Sequence, residues 1–266
     1  MIDETAEIRV PILAESTVYV VGGTSGVGLE VANRFVAAGT QRIGLVGRDA
    51  ERGHKAAEQI RSRAPGVWSL FVAGDVNDPG EARRVAEELR SGLGPADILV
   101  NSTTSPFTPR LFHDILPEDV PAIVTQQAFG PMNMCHAVLP DMRSQRGGAI
   151  VNVASDAAKW PTPGETVLGA AMAAIVMFTQ TLAMEAKRHG IRVNAVTPSL
   201  IRDTGAHDRV MADPFSAKLF EKATRAASLG VAEPSDLAEL IVFLCSPQAR
   251  RITGQAVSPN GGISAG

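Results

Sequence analysis

A glycine-rich segment near the amino terminus carries the clearest chemical signal in the sequence. It reads VGGTSGVG over residues 21–28, after an apolar β-branched run and before a helix-like pattern. Glycines placed there let the backbone turn tightly and approach a pyrophosphate, towards which the helix N–H groups then point. The segment therefore predicts a dinucleotide site formed by Gly22, Thr24, Ser25, Gly26, Val27 and Gly28.

Two later apolar runs end in residues that suit the adenosine half of such a ligand. The second run ends at Gly47, Arg48 and Asp49. The Arg48 guanidinium can pair bidentately with a ribose 2′-phosphate, which favours NADP(H) over NAD(H), whereas Asp49 holding a ribose hydroxyl is the alternative. The third run ends at Asp75 and Val76, where a carboxylate can accept from the adenine amino group. A turn-forming role for Asp75 is an equal alternative.

These loops can form one site only if the elements around them bring their ends together. Strands are predicted at 18–21, 42–46, 67–73, 97–101, 149–153, 191–196 and 255–258. Helices are predicted at 29–38, 50–63, 79–90, 117–143, 163–189 and 237–244. Strands separated by ten or more helical residues indicate βαβ units, so we predict an α/β single domain with a doubly wound parallel sheet of about seven strands and helices on both faces.

The stretch 201–229 breaks this rhythm with polar and small residues. In a doubly wound fold it follows the sixth strand and lies at the carboxyl edge of the sheet, where ligands bind. We predict that it forms a small mobile lid over the site, and we call it the lid segment.

Composition excludes several classes of protein. The net charge is −3, which argues against a nucleic-acid-binding surface. The longest apolar run, 167–178, is too short to span a bilayer, so no membrane association is expected. The acidic amino terminus lacks the features of a secretory signal, and two distant cysteines indicate a reducing compartment. Together these features predict a cytoplasmic protein.

Further segments complete a pattern known from one family. They read DILVN at 97–101, GAIVNVAS at 148–155, HGIRVNAVTP at 189–198 and ITGQ at 252–255. With the glycine loop, they resemble the short-chain dehydrogenase/reductase family, classical type, from about residue 16 to residue 262. The resemblance implies a Rossmann-type domain over 16–266 behind an extension at 1–15, a nicotinamide cofactor, and a homodimer or homotetramer. It also assigns cofactor contacts to Asn101, Pro198 and Thr204.

The chain departs from that family at the residues that perform its chemistry. The family uses Asn, Ser, Tyr and Lys, with Tyr as the proton donor and Lys lowering the pKa of that Tyr. The resemblance places these four at Gln127, Ser155, Leu168 and Met172, so only the serine is kept. The sequence contains a single tyrosine, Tyr19, which lies in the first predicted strand. We therefore expect an atypical member that lacks the catalytic Tyr and Lys.

Three other side chains are candidate substitutes for the missing acid. Asp156 follows Ser155 directly, with turn capping as the alternative role. Glu165 precedes Leu168 by three residues, although a charge at a helix start also favours the helix dipole. His113 is a candidate because histidine is the side-chain type that changes charge near neutral pH, but a surface role is the simpler interpretation. No histidine has metal-ligand spacing with another His or Cys, so no metal is expected.

General acid catalysis contributes roughly 10²- to 10⁴-fold, and leucine and methionine cannot supply it. We therefore predict a non-standard NADP(H)-dependent oxidoreductase that transfers a hydride to a small organic substrate with an activated C=O, C=C or C=N bond. One alternative is a non-redox enzyme on the same scaffold, such as an isomerase, dehydratase or cyclase. A non-catalytic NADP-binding subunit is the other.

Overall fold

The fold is a seven-stranded, fully parallel sheet in the order β3-β2-β1-β4-β5-β6-β7. The computed structural model describes residues 8–265. The strands are β1 Thr17–Val21, β2 Arg42–Gly47, β3 Trp68–Ala73, β4 Ile98–Asn101, β5 Gly148–Val153, β6 Ile191–Val196 and β7 Ala256–Val257. This order is that of a Rossmann-type α/β domain, as predicted.

Helices cover both faces of the sheet. They are α1 Gly26–Ala37, α2 Ala50–Arg63, α3 Pro79–Leu93, α4 Asp119–Ser144, α5 Thr166–Ala186, α6 Gly205–Ala212, α7 Pro214–Ala226 and α8 Pro234–Cys245. One core lies between the sheet and α1, α2 and α8, and the other lies between the sheet and α3, α4 and α5. Strand β1 serves both cores, because Val18 and Val20 point to the first and Tyr19 and Val21 to the second.

The position of the site follows from the strand order. Strand β1 pairs with β2 on one side and with β4 on the other. The chain therefore winds away from β1 in both directions, which leaves a crevice at the carboxyl ends of β1 and β4. The glycine-rich segment begins at that edge.

The lid segment contains more regular structure than its composition predicts. Helices α6 and α7 occupy most of it, and each starts at a side-chain cap. Thr204 Oγ1 accepts from the His207 N–H, and Asp213 accepts from the Ser216 N–H. Pro214 fits the first turn of α7, where no N–H donor is needed. Short helices with capped starts thus form most of the lid segment, where the sequence analysis predicted no helix.

Helix α5 is the most apolar helix in the molecule. With the 3₁₀ turn that follows, Thr166–His189 contains an 18-residue window with a mean hydropathy of 1.8, so it is long and apolar enough to cross a membrane by length and composition alone. In the fold it packs against α4 and β6, as a core helix of an α/β domain does.

The predicted extension at 1–15 is described only in part, because residues 1–7 lie outside the described residues. Arg9 pairs with Asp97 at 2.7 Å, and its N–H donates to the Arg146 carbonyl. Leu13–Glu15 forms a 3₁₀ turn before β1. The described part of the extension therefore lies against the amino-terminal edge of the sheet.

Candidate functional site

A cleft of about 500 Å³ opens at the carboxyl ends of β1 and β4. One end, which we call the phosphate end, is formed by residues 22–28 together with Arg48, Arg52, Asp75 and Val76. The other, which we call the chemical end, is formed by Gln127, Ser155, Glu165, Leu168 and Met172. The lid segment lines the cleft between them.

Backbone geometry fixes the glycines of the phosphate end. Gly22 has a φ of 75°, and a Cβ there would lie 2.3 Å from the Ser102 carbonyl oxygen. A Cβ on Gly28 would lie 2.3 Å from the Gly22 carbonyl oxygen. The loop can therefore pack against β4 and α1 only with glycine at both positions.

The start of α1 fits a pyrophosphate. Ser25 is the N-cap residue, but its side chain makes no capping hydrogen bond, so it leaves the first-turn N–H groups to the cleft. Gly26 has a φ of 51°, and a Cβ there would meet nothing closer than Thr204 Cγ2 at 3.7 Å. Open space beside unpaired N–H donors at the positive end of a helix is the arrangement that binds phosphate.

Two arginines lie where the ribose of a bound dinucleotide would be expected. Arg48 follows β2 directly and is exposed. Arg52 lies in the first turn of α2, and its Nε donates to Thr24 Oγ1 at 3.3 Å. Asp49 accepts from the Arg52 N–H and therefore caps α2. Asp49 thus has a structural role that the sequence pattern did not assign, while both guanidinium groups line the cleft.

Asp75 and Val76 follow β3 and line the cleft. The sequence predicts that they contact the adenine of the dinucleotide. The Asp75 carboxylate accepts from the Asn77 N–H at 3.1 Å and from Asn77 Nδ2 at 2.8 Å. The turn-forming role is therefore present in the structure, and the carboxylate also borders the cleft.

The chemical end combines a few polar groups with an apolar wall. Ser155 lies two residues after β5, and its Oγ accepts from the Ala157 N–H at 3.2 Å. Gln127 reaches the cleft from α4 and is buried. Leu168 and Met172 lie one turn apart on α5 and carry no titratable group. Of the groups that form this end, Glu165 alone titrates.

Glu165 lies at the N-cap of α5 and is 9% exposed. Its side chain does not cap the helix. Burial, assisted by the negative charge of Asp156, raises the pKa of Glu165 from 4.5 to about 7. The carboxyl can therefore hold or release a proton near neutral pH.

Several predicted site residues lie outside the cleft lining. Asn101 is fully buried and donates to Asn152 Oδ1 at 2.8 Å, because the pairing of β4 with β5 places the two side by side. Asp156 accepts from Ser264 Oγ at 2.5 Å and from Asn260 at 3.2 Å, so it anchors the carboxyl-terminal segment. His113 lies on a 3₁₀ turn with 77% of its side chain exposed.

The last two predicted cofactor contacts line the cleft from the lid side. Pro198 follows β6, and its carbonyl accepts from the Asp156 N–H at 2.7 Å. Thr204 borders the cleft, but its hydroxyl donates to the Ile201 carbonyl and caps α6. Thr204 therefore has a second role in starting the lid helices.

The single tyrosine lies at the opposite edge of the sheet. Tyr19 is 1% exposed, and its hydroxyl donates to the Gly94 carbonyl at 2.6 Å. Gly94 precedes β4, so this contact lies at the amino ends of the strands, whereas the cleft lies at their carboxyl ends. Burial also raises the pKa of Tyr19. No phenol therefore reaches the cleft.

Three basic residues of the cleft lining were not assigned to the site by the sequence. Arg52 was missed, although it lies in the first turn of the predicted helix 50–63, close to Arg48 in the chain. His207 and Arg209 line the cleft from α6. Their placement depends on the helix that Thr204 caps, which the polar composition of the lid segment concealed.

Known proteins resemble this chain over nearly its whole length. A family model described as short chain dehydrogenase matches residues 16–214. The 3-oxoacyl-(acyl-carrier-protein) reductase of Chlamydia muridarum is 28% identical over 254 residues, which cover 95% of this chain and 99% of that protein.

Solved structures show the same extent of similarity. An NADPH-bound short chain oxidoreductase from Pseudomonas aeruginosa PAO1, which contains an atypical catalytic center, has a TM-score of 0.87 and 29% identity, with 96% of this chain and 99% of that chain covered. The 3-ketoacyl-(acyl-carrier-protein) reductase from Brucella melitensis, in complex with NADH, has a TM-score of 0.83 and 29% identity, with 95% and 100% covered. Similar proteins thus bind NADPH or NADH.

Proposed function

The chain belongs to the short chain dehydrogenase family, and we propose that it is an NADP(H)-dependent oxidoreductase that works without the tyrosine acid of that family. The observation that carries the proposal is the contrast within one cleft. The phosphate end has open helix N–H groups beside two arginines, while the chemical end has a leucine and a methionine and no phenol. A bound nicotinamide dinucleotide would supply or accept the hydride.

The preference for NADP(H) is supported by charge. Arg48 and Arg52 both line the phosphate end, one directly after β2 and one in the first turn of α2. Two guanidinium groups suit a 2′-phosphate, which carries negative charge and several acceptor oxygens. Asp49, the residue that would favour NAD(H), is engaged by the first turn of α2.

The absence of the family's acid is supported by the residues on α5. Leu168 and Met172 occupy the positions that the resemblance gives to Tyr and Lys, and both line the cleft. The similar oxidoreductase from Pseudomonas aeruginosa is NADPH-bound and has an atypical catalytic center. A chain of this fold can therefore combine dinucleotide binding with a non-standard chemical end.

The chemical end has defined roles for its own residues under this proposal. The Ser155 hydroxyl orients the polar atom of the substrate, and Gln127 offers an amide on the α4 side. Leu168 and Met172 exclude water from the reacting carbon. A small organic substrate with an activated C=O, C=C or C=N bond suits this arrangement, because its carbon is already electrophilic and needs less help from an acid.

The exposed side of α5 supports a homodimer or homotetramer. Met177 and Met184 are 62% and 59% exposed, and Ala170 and Ala174 lie on the same exposed side. An apolar stripe of this kind is buried when helices of two subunits pack together. Light scattering of the purified protein tests this expectation, since a monomer would contradict it.

Dinucleotide binding and hydride transfer are tested in turn on the purified protein. Fluorescence titrations with NADPH and NADH give the two Kd values, and we expect the tighter one for NADPH. Oxidation of NADPH is then followed with a panel of ketones, enones and imines. The proposal is supported if NADPH binds and at least one class of substrate in the panel oxidises it. Binding without any oxidation, or no binding at all, contradicts it.

A further inference from the structure

Glu165 is the one titratable group among the residues that form the chemical end, and the proposed function leaves it without a role. It lies on the same face of α5 as Leu168 and Met172, because the three are spaced by three and four residues. All three line the cleft. A carboxyl group is thus placed one helical turn from the residue at the family's proton-donor position.

The residue before Glu165 is held between the lid segment and the loop before α4. Gly164 has a φ of 88°, and a Cβ there would lie 2.8 Å from Phe215 Cε1. The Phe215 ring at the start of α7 therefore lies directly over the residue that precedes Glu165. The Gly164 carbonyl accepts from the Arg110 N–H, which fixes this turn to the loop before α4. Glu165 thus follows directly on a glycine that packs against the lid segment, and it lines the cleft itself.

The hydrogen bonds around Glu165 do not explain why it is buried. Within residues 8–265, no side chain donates to its carboxylate, and its side chain does not cap α5. A buried carboxylate without donors is costly, so the group favours its neutral, proton-carrying form. A carboxyl kept in that form beside an apolar wall is suited to donate a proton.

We infer that Glu165 is the proton donor to the reduced substrate, in place of the phenol that the family uses. This inference rests on the proposed function. In the reduction of a C=O bond, a bound reduced nicotinamide would supply the hydride to carbon, and the π electron pair would move to oxygen. That oxygen takes the proton from the Glu165 carboxyl, which is left as a carboxylate and is reprotonated from water.

The charged groups on the elements around Glu165 set the pH range in which it can act. Asp156, on the turn after β5, raises the pKa of Glu165, in addition to the larger effect of burial. Lys159 follows on the same turn and donates to the Ala256 carbonyl, while His207 and Arg209 line the cleft from α6. The positive end of α5 favours the carboxylate, but burial outweighs it. The donor form is therefore present below a pH of about 7.

The first test measures the proton directly in the protein without cofactor. Isotope-edited infrared titration follows the carboxyl groups of the wild type, of Glu165→Gln and of Glu185→Gln. Glu185 is the matched control, because it is an exposed glutamate near the other end of α5. A protonated carboxyl that titrates near pH 7 in the wild type and in the control, and that is missing from Glu165→Gln, supports the inference. Its absence from the wild type overturns it.

The second test measures turnover. We expect Glu165→Gln to keep the wild-type Kd for NADPH within about twofold and to lose about 10²- to 10⁴-fold in the rate of NADPH oxidation. The wild-type rate should fall as the pH rises through about 7, and the variant should lack this fall. If Glu165→Gln keeps the wild-type rate, the role of Glu165 as proton donor is overturned, while the proposed function still stands. A wild type that binds NADPH and oxidises none of the panel contradicts the proposed function, and the role of Glu165 with it.

Discussion

The phosphate end and the chemical end of the cleft differ in what determines their residues. At the phosphate end, backbone contacts decide, since a Cβ on Gly22 or Gly28 would lie 2.3 Å from a carbonyl oxygen. At the chemical end, Leu168 and Met172 line the cleft only through their side chains on α5. The fold therefore fixes the residue types at the phosphate end, whereas the residue types at the chemical end can change without altering the fold. This difference explains how a dinucleotide site can persist beside a rebuilt centre.

The largest effect is expected where the backbone leaves no room. Gly22→Ala forces a Cβ against the Ser102 carbonyl at a φ of 75°, so the loop must shift away from the phosphates. We expect the Kd for NADPH to rise by about 100-fold or more. We also expect the melting temperature to fall. Fluorescence titration and a thermal melt measure both.

Gly66→Ala is the matched control for that substitution. Gly66 has a φ of 101°, but a Cβ there would meet nothing within 4 Å. It therefore carries the conformational strain without the clash. If Gly66→Ala weakened NADPH binding as much as Gly22→Ala does, the contact with Ser102 would not be the cause.

Substitution of the arginines at the phosphate end should weaken the binding of NADPH but not that of NADH. Charge-assisted hydrogen bonds contribute about 1.5–3 kcal/mol, so we expect Arg48→Ala or Arg52→Ala to raise the Kd for NADPH by about 10- to 100-fold. The Kd for NADH should change little, because NADH lacks the 2′-phosphate. Equal losses for the two coenzymes would show that the arginines act on a shared part of the dinucleotide.

At the chemical end, restoring the family residues should replace the carboxyl acid. We expect Leu168→Tyr with Met172→Lys, placed in the Glu165→Gln background, to recover about tenfold or more of the lost NADPH oxidation, since a lysine beside a phenol favours proton transfer. Leu168→Phe with Met172→Lys is the control, because it adds the ring without the hydroxyl. Equal recovery by both variants would mean that shape and not acidity was restored.

How far the sequence predicted the molecule depends on which forces decide each part. The seven strands and the main helices were predicted within a few residues, because apolar β-branched runs and helical periodicity reflect burial directly. The helices α6 and α7 were missed, since they depend on side-chain caps such as Thr204 and Asp213 in a polar stretch. The directions of Asn101 and Asp156 were also beyond the sequence. They follow from strand pairing and from contacts with the distant carboxyl-terminal segment.

A smaller effect concerns stability. The native state binds the Glu165 proton more tightly than the unfolded chain does, so unfolding releases a proton between pH 4.5 and about 7. The free energy of unfolding therefore falls as the pH rises through that range. Glu165→Gln removes this contribution. We measure the difference in melting temperature between Glu165→Gln and the wild type. We expect this difference to shift by several degrees in favour of the variant as the pH rises from acidic to mildly alkaline. A constant difference across that range would contradict the raised pKa of Glu165.

The central claim, that no phenol acts in this cleft, is tested most directly by removing the only tyrosine. Tyr19→Phe deletes the hydrogen bond to the Gly94 carbonyl, which costs about 1 kcal/mol of stability, and it leaves a chain without any tyrosine. The measurement is kcat/KM for NADPH oxidation by the folded variant, with the active substrate from the panel. The account predicts a value within about threefold of the wild type. A loss of about 100-fold or more, the size expected for a missing general acid, would contradict it.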